Sequence, residues 1–202
     1  ARKLALLYGL EDVSPPPLYR RLWAKADKTT GKTHALICHL VDVSQVALAM
    51  WEETLTNGVR QQFADALGLR QDEAGRLIAF WAGLHDLGKA TPGFQRKYAP
   101  ARLMLESEGL DFPKVYGRQS FYHGTAAAVL LPECLISRFD LDRHWARQIA
   151  TAIGGHHGTW PIPKDIIECK TTQSLHLGKA EWDEVREGLV GAVAAVCDPP
   201  VM

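Results

Sequence analysis

The chain has 202 residues, 47% of them hydrophobic and 23% charged, with 23 Lys and Arg set against 23 Asp and Glu. This is enough chain for one domain with a sizeable core, and the composition is that of an ordinary globular protein. Zero formal net charge excludes a uniformly basic nucleic-acid-binding domain, though not a local basic path, and no stretch approaches the ~20 apolar residues that span a membrane.

Taken in chain order, the sequence is mostly helical. Arg2-Lys3 precedes an apolar run that stops at Gly9, too short for a signal peptide. With no initiator Met, this reads as a trimmed or fragmentary N-terminus. The segment from Ser14 to Pro17 is a rigid Pro-rich loop. Residues 18–33 carry Arg20, Arg21, Lys25, Lys28 and Lys32, either a solvated face or a DNA contact. Leu36, Leu40, Val43, Ala47 and Trp51 recur at helical steps, with His39 beside the stripe, and Asn57-Gly58 is expected to end that helix. A shorter amphipathic helix covers 59–67.

Asp72 is a candidate N-cap for a central helix bearing Leu77, Phe80, Trp81, Leu84 and Leu87, which continues toward Thr91-Pro92-Gly93. Residues 100–117 read as irregular. Ser120 or His123 opens the next helix and Pro132 is expected to close it. Asp142 caps another, whose buried side is read as Trp145, Ile149 and Ile153, and Gly154-Gly155 breaks it. Trp160 to Pro163 is a stiff loop, and 181–196 form a last helix. No run alternates clearly enough for a strand. The expected fold is therefore all-α, in a single globular domain spanning 1–202.

Cys38, Cys134, Cys169 and Cys197 include no CxxC pair, which argues against a structural zinc site and fits a reducing cytoplasm. The chemistry-bearing feature is His85-Asp86, set in the otherwise apolar run 77–89 (LIAFWAGLHDLGK). A buried imidazole beside a carboxylate is costly unless both are satisfied, and a divalent ion satisfies both. The bland alternative is a buried His hydrogen-bonded to the adjacent acid. His39, His123, His156 and His157 supply further candidate ligands, and together they suggest a two-metal hydrolytic centre suited to phosphodiesters. Asp86, with two oxygens, could bridge two ions. Lys89, three residues after Asp86, could hold a phosphate or a developing charge, or act as a helix-end cation. Trp160 could stack a base or simply pack. His34, His144 and His176 read as solvated or structural.

These segments carry a family resemblance. LICHL (36–40), AGLHDLGK (82–89), GFQ (93–95), His123-Gly124, GHHG (155–158) and Trp23-Ala-Lys25 together resemble the HD nuclease domain of the type I CRISPR-associated helicase-nuclease, within the HD phosphohydrolase superfamily. The likeness runs from about residue 18 to 182. It implies an HD-domain helical bundle and metal-dependent cleavage of single-stranded DNA, endo- or exonucleolytic, in prokaryotic CRISPR interference and antiviral defence. It also implies two divalent transition-metal ions, with histidine-rich ligation favouring Fe, Mn, Co or Ni over Mg or Zn. One ion would be held by His39, His85, Asp86 and a later aspartate, the other by Asp86, His123, His156 and His157, with Lys89 beside them. The implied partners are an RNA-guided surveillance complex, single-stranded DNA, and a helicase in cis or as a separate subunit, with no membrane.

No GxxxxGK[ST] loop is present, so the motor is not part of this sequence. The family's later aspartate, in an Ala-Asp-Trp-like helix, has no match: Asp198 stands in a Pro-rich stretch. The metal ligands alone would also suit a nucleotide phosphohydrolase, and the unmatched aspartate would suit a non-hydrolysing docking module.

Overall fold

The computed structural model describes residues 16–27, 29–115 and 121–200. Lys28, Ser120 and the start of the Pro-rich loop, all named above, lie outside them. A 3-10 turn at Leu18–Arg21 leads into an antiparallel ribbon of β1 (Trp23–Ala26) and β2 (Thr33–Ala35), with Lys25 opposite His34. Nine helices follow among the described residues: α1 (Leu36–Ala49), α2 (Asn57–Leu67), α3 (Gln71–Gly83), α4 (Pro92–Gln95), α5 (Ala99–Ser107), α6 (His123–Phe139), α7 (Arg143–Gly154), α8 (Pro163–Lys170) and α9 (Ala180–Cys197). The all-α expectation holds apart from the ribbon. No helix is long and apolar enough to cross a membrane among the described residues.

The centre of the bundle is α3, packed on α1 and α9. Leu77 and Phe80 are fully buried there, facing Leu36, Leu40 and Val41 of α1 and Leu189, Val190 and Val193 of α9. Closeness depends on Gly83, where a Cβ would stand 2.9 Å from Val193 Cγ1 and 3.2 Å from the Leu40 carbonyl. A second pair, α6 on α7, meets at Gly124 and Gly154: a Cβ on Gly124 would lie 2.5 Å from the Gly154 carbonyl oxygen. These two contacts draw together the helix ends that carry the histidines.

Several elements differ from the sequence expectations. The ribbon was missed because β1 and β2 are four and three residues long, too short for alternation to register. Asn57-Gly58 does not end α1. That helix passes into a π turn at Met50–Thr54, and Thr56 Oγ1 caps α2 by accepting from the Val59 amide. Glu73, not Asp72, makes the capping contact of α3, accepting from the Arg70 amide at 3.1 Å. Part of the segment expected to be irregular is α5, anchored by buried Ala101 and Leu105. Pro132 lies inside α6, which continues to Phe139 because Leu131 and Leu135 are fully buried and outweigh the ~3 kcal/mol cost of an interior proline. On α7 Ile149 and Ile153 pack partly buried against the core as expected, but Trp145 is exposed and the fully covered positions are Ala146, Ala150 and Gly154, small residues that let α6 approach. The stiff loop after Trp160 gives way to α8.

Candidate metal centre

The decisive local departure from the sequence reading is that α3 stops at Gly83. His85-Asp86 stands in the turn beyond it, followed by a 3-10 turn at Leu87–Lys89. The turn lets both side chains face one point, which successive residues of a regular helix, ~100° apart, cannot do. Thr91 holds the far side of the turn, its hydroxyl donating to the Gly88 carbonyl and accepting from the Phe94 amide. Gln95 is fully buried and ties the turn to β1, donating to the carbonyls of Lys89 and Trp23 and accepting from the Trp23 amide. Buried Arg186 of α9 donates to the Ala90 carbonyl at 3.0 Å.

Asp86 is 3% exposed and surrounded. Its Oδ2 lies 2.8 Å from His39 Nε2, 3.2 Å from His85 Nε2 and 2.7 Å from Lys89 Nζ. Its Oδ1 lies 3.0 Å from His123 Nε2 and 3.5 Å from His156 Nε2. His157 joins from the outer side, its Nε2 2.9 Å from His123 Nε2. Thus every residue expected at the site (His39 of α1, His85, Asp86 and Lys89 of the turn, His123 at the start of α6, His156 and His157 after α7) is gathered around one carboxylate. The donor atoms fall into two groups, His39, His85 and Asp86, and His123, His156 and His157; Asp86 Oδ1 reaches toward the second through His123 and His156.

The protonation logic suits cations. His85 Nδ1 and His156 Nδ1 each stand 2.9 Å from a carbonyl oxygen three residues back, of Ala82 and Ile153. A carbonyl only accepts, so both Nδ1 atoms carry hydrogen, and in the neutral ring Nε2 is a lone pair turned toward the carboxylate. Lone pairs facing carboxylate oxygens repel unless protons or cations lie between them. Asp86 Oδ1 and His156 Nε2 are both buried and neither makes a hydrogen bond. These orphaned atoms, in an all-imidazole and carboxylate donor set, fit divalent transition ions.

Burial opposes ionisation of Asp86, but the imidazoles of His123, His156, His39 and His85 outweigh it and hold its carboxyl well below the usual carboxylate range. Burial likewise pulls His156 down, while Asp86 and the Ile153 carbonyl more than reverse this and raise it. Exposed His157 is lowered, by desolvation and then by its neighbours His156 and His123. Among the described residues no second carboxylate joins the donor groups. Asp198, set aside in the sequence, follows α9 with φ 52°.

Of the other histidines, His34 faces Asp42 at 3.4 Å and lies edge-on to the His39 ring with centroids 6.0 Å apart, His144 is exposed on α7, and buried His176 stacks on Phe121. Arg21 of the basic segment pairs with Glu108. Sequence reasoning missed the cleft that opens beside His123 and His157, about 720 Å³ and lined by Lys97, Tyr122, Thr125, Pro161, Asp165 and Glu168 among others. Its residues come from four segments and share no motif. The one signal was Trp160, which lines it.

With this geometry in hand, comparison with known proteins decides the family. Residues 23–201 match the family described as Cas3, HD domain. The chain belongs to that family. A CRISPR-associated endonuclease/helicase Cas3 from Thermus thermophilus is 31% identical over 174 residues, covering 85% of this chain and 18% of the relative. A chain in a structure described as a CRISPR RNA-guided surveillance complex, pre-nicking, superposes with a TM-score of 0.73 at 32% identity, over 92% of this chain and 22% of that one. The Thermus thermophilus Cas3 HD domain, crystallised in the presence of Ni2+, gives a TM-score of 0.64 at 27% identity, over 90% of this chain and 66% of that one. The chain spans about a fifth of the length of the curated relatives it matches.

Proposed function

We propose that residues 1–202 are the HD nuclease domain of a larger helicase-nuclease, and that it hydrolyses phosphodiesters of single-stranded DNA with two divalent transition-metal ions. His39, His85 and Asp86 would hold one ion, and Asp86, His123, His156 and His157 the other. The observation that carries this reading is the arrangement around Asp86: four imidazoles and one ammonium converge on a single buried carboxylate, His39, His85 and Lys89 beside one oxygen and His123 and His156 beside the other. The chemistry two such ions supply when bound is activation of water and neutralisation of charge on the phosphate and leaving oxygens.

The chain's own residues set the stage for that chemistry. The Ala82 and Ile153 carbonyls fix the tautomer and ring direction of His85 and His156, which keeps both Nε2 lone pairs aimed inward. Lys89 is 8% exposed and holds its ammonium 2.7 Å from Asp86, where it can position a phosphate oxygen. His157, exposed at the rim, faces the cleft through which a strand would reach the centre. A relative named as an endonuclease/helicase and a similar chain in a structure named for an RNA-guided surveillance complex support a partner helicase and recruitment by such a complex; the setting we propose is the cytoplasm of a prokaryote.

The test is incubation of the chain with circular single-stranded DNA, and separately with a nucleotide panel, adding Mn2+, Co2+, Ni2+, Fe2+ or Mg2+ one at a time. Nicking that requires metal and vanishes in Asp86→Ala is expected. Nucleotide hydrolysis without DNA cleavage would instead make the domain a nucleotide phosphohydrolase. Metal uptake with neither activity would make it a docking module.

A further inference from the structure

The cleft beside His123 and His157 has a floor and walls that the metal centre does not use. Trp160 is 59% exposed and lines it. Its indole is nonetheless held. A Cβ built on Gly155 would stand 2.5, 2.7 and 2.8 Å from Cδ1, Nε1 and Cγ of that ring. Such near-equal distances to three consecutive atoms place the ring face, not its edge, over the glycine. Only a residue without a side chain leaves room for it. One face of the indole is therefore seated on the backbone immediately before His156, while much of the ring is open to solvent.

Charge decides what the cleft takes. Lys97 is its single Lys or Arg among the described lining residues, while Asp165 and Glu168 bring two carboxylates. Both carboxylates are fixed: Asp165 accepts from the Ile162 amide at 3.1 Å, and Glu168 accepts from Gln173 Nε2 at 3.1 Å. A wall of this kind repels phosphate but accepts hydrogen bonds from ring and exocyclic N–H groups. Tyr122, 70% exposed and next to His123, adds a second aromatic surface at the entrance. Planar, uncharged, hydrogen-bonding and stackable describes a nucleobase, and the cleft's volume is in the range of small-ligand pockets.

We propose that this cleft is a nucleobase pocket, in which the base adjoining the phosphate at the metal centre stacks on Trp160. The pocket rests on the single-strand nuclease reading above and gives it a positioning device: a base seated on Trp160 fixes where its own phosphate lies relative to His123 and His157. Because every base has a π face, the device selects unpaired strands without selecting sequence.

The test is fluorescence anisotropy of the metal-free chain with a labelled thymidine decamer and with the same decamer made abasic. Stacking worth about 1–3 kcal/mol per base predicts at least a several-fold, typically about tenfold, preference for the thymidine decamer. Trp160→Leu, which keeps apolar cover over Gly155, should abolish that preference, and Trp160→Phe should retain most of it. Equal binding of the two decamers by the unmodified chain, or a preference that survives Trp160→Leu, would overturn the pocket. A free mononucleotide that competes as well as the decamer would overturn its role in holding a strand. The nuclease reading fails separately, by absence of metal-dependent DNA nicking in the unmodified chain.

Discussion

Asp86 sets the electrostatics of the whole site. Among the described residues it is the one carboxylate within reach of His39, His85, His123, His156 and Lys89 together, and the four imidazoles keep it ionised despite burial. Lys89 is the residue whose role can be separated from ion binding, since an ammonium has no lone pair to offer a metal. Lys89→Ala is expected to lower kcat for single-stranded DNA by about 10²-fold, the usual cost of one oriented charge donor, while metal uptake persists. Single-turnover cleavage alongside a metal titration checks this, and parallel loss of both would make Lys89 structural. At this scale the sequence was highly legible. The donor residues are rare types in apolar or Gly-rich surroundings, and each one expected at the centre is found there. What could not be read was the direction of each ring, because the orienting groups are backbone carbonyls of Ala82 and Ile153, which every sequence possesses.

Helices and turns place those residues through glycines. A Cβ on Gly88 would come within 1.9 Å of the His123 carbonyl oxygen and 2.7 Å of the Ala127 amide nitrogen, so the turn and the start of α6 touch backbone to backbone. Gly88→Ala should destabilise the fold by about 1–3 kcal/mol, as overpacking does, and weaken metal binding by pushing His123 away. Urea unfolding and metal titration on the same variant check both effects. Element boundaries were the least legible part of the sequence. Pro132 was read by its local cost, but Leu131 and Leu135 buried on either side of it keep α6 intact. Trp145 was read by its hydrophobicity, but the α6–α7 contact admits only small residues, and it faces solvent. His85-Asp86 was read as helical because its flanks are apolar. Its release into a turn depends on Thr91 and Gln95, which bond the turn's backbone from just downstream, and on Arg186, which bonds it from 96 residues away.

Over the whole molecule, the core and the thiols make a further prediction. Burial pushes the Cys134 thiol up to about 12 and the Cys169 thiol up to about 11. Thiols near these values stay protonated in the folded chain while the unfolded chain ionises them from about pH 8.5. A raised folded pKa means their contribution to stability is full below that pH and is lost as pH climbs toward 11–12. Denaturant unfolding between pH 8 and 10 should therefore show a decline that flattens in the Cys134→Ala/Cys169→Ala variant. An unchanged slope would place these thiols in water. Fold class and family were legible at this scale because the motifs are spread over most of the chain. The cleft was not, because its character arises only where Tyr122, Trp160, Asp165 and Glu168 meet.

If one buried carboxylate joins two ion sites, both sites depend on Asp86. Calorimetric titration of the chain with Mn2+ tests it most directly, comparing the unmodified protein with Asp86→Ala. Two ions bound per chain are expected, with at least tenfold weakening of both when Asp86 is removed. Binding of a single ion, or binding that Asp86→Ala leaves unchanged, would contradict it.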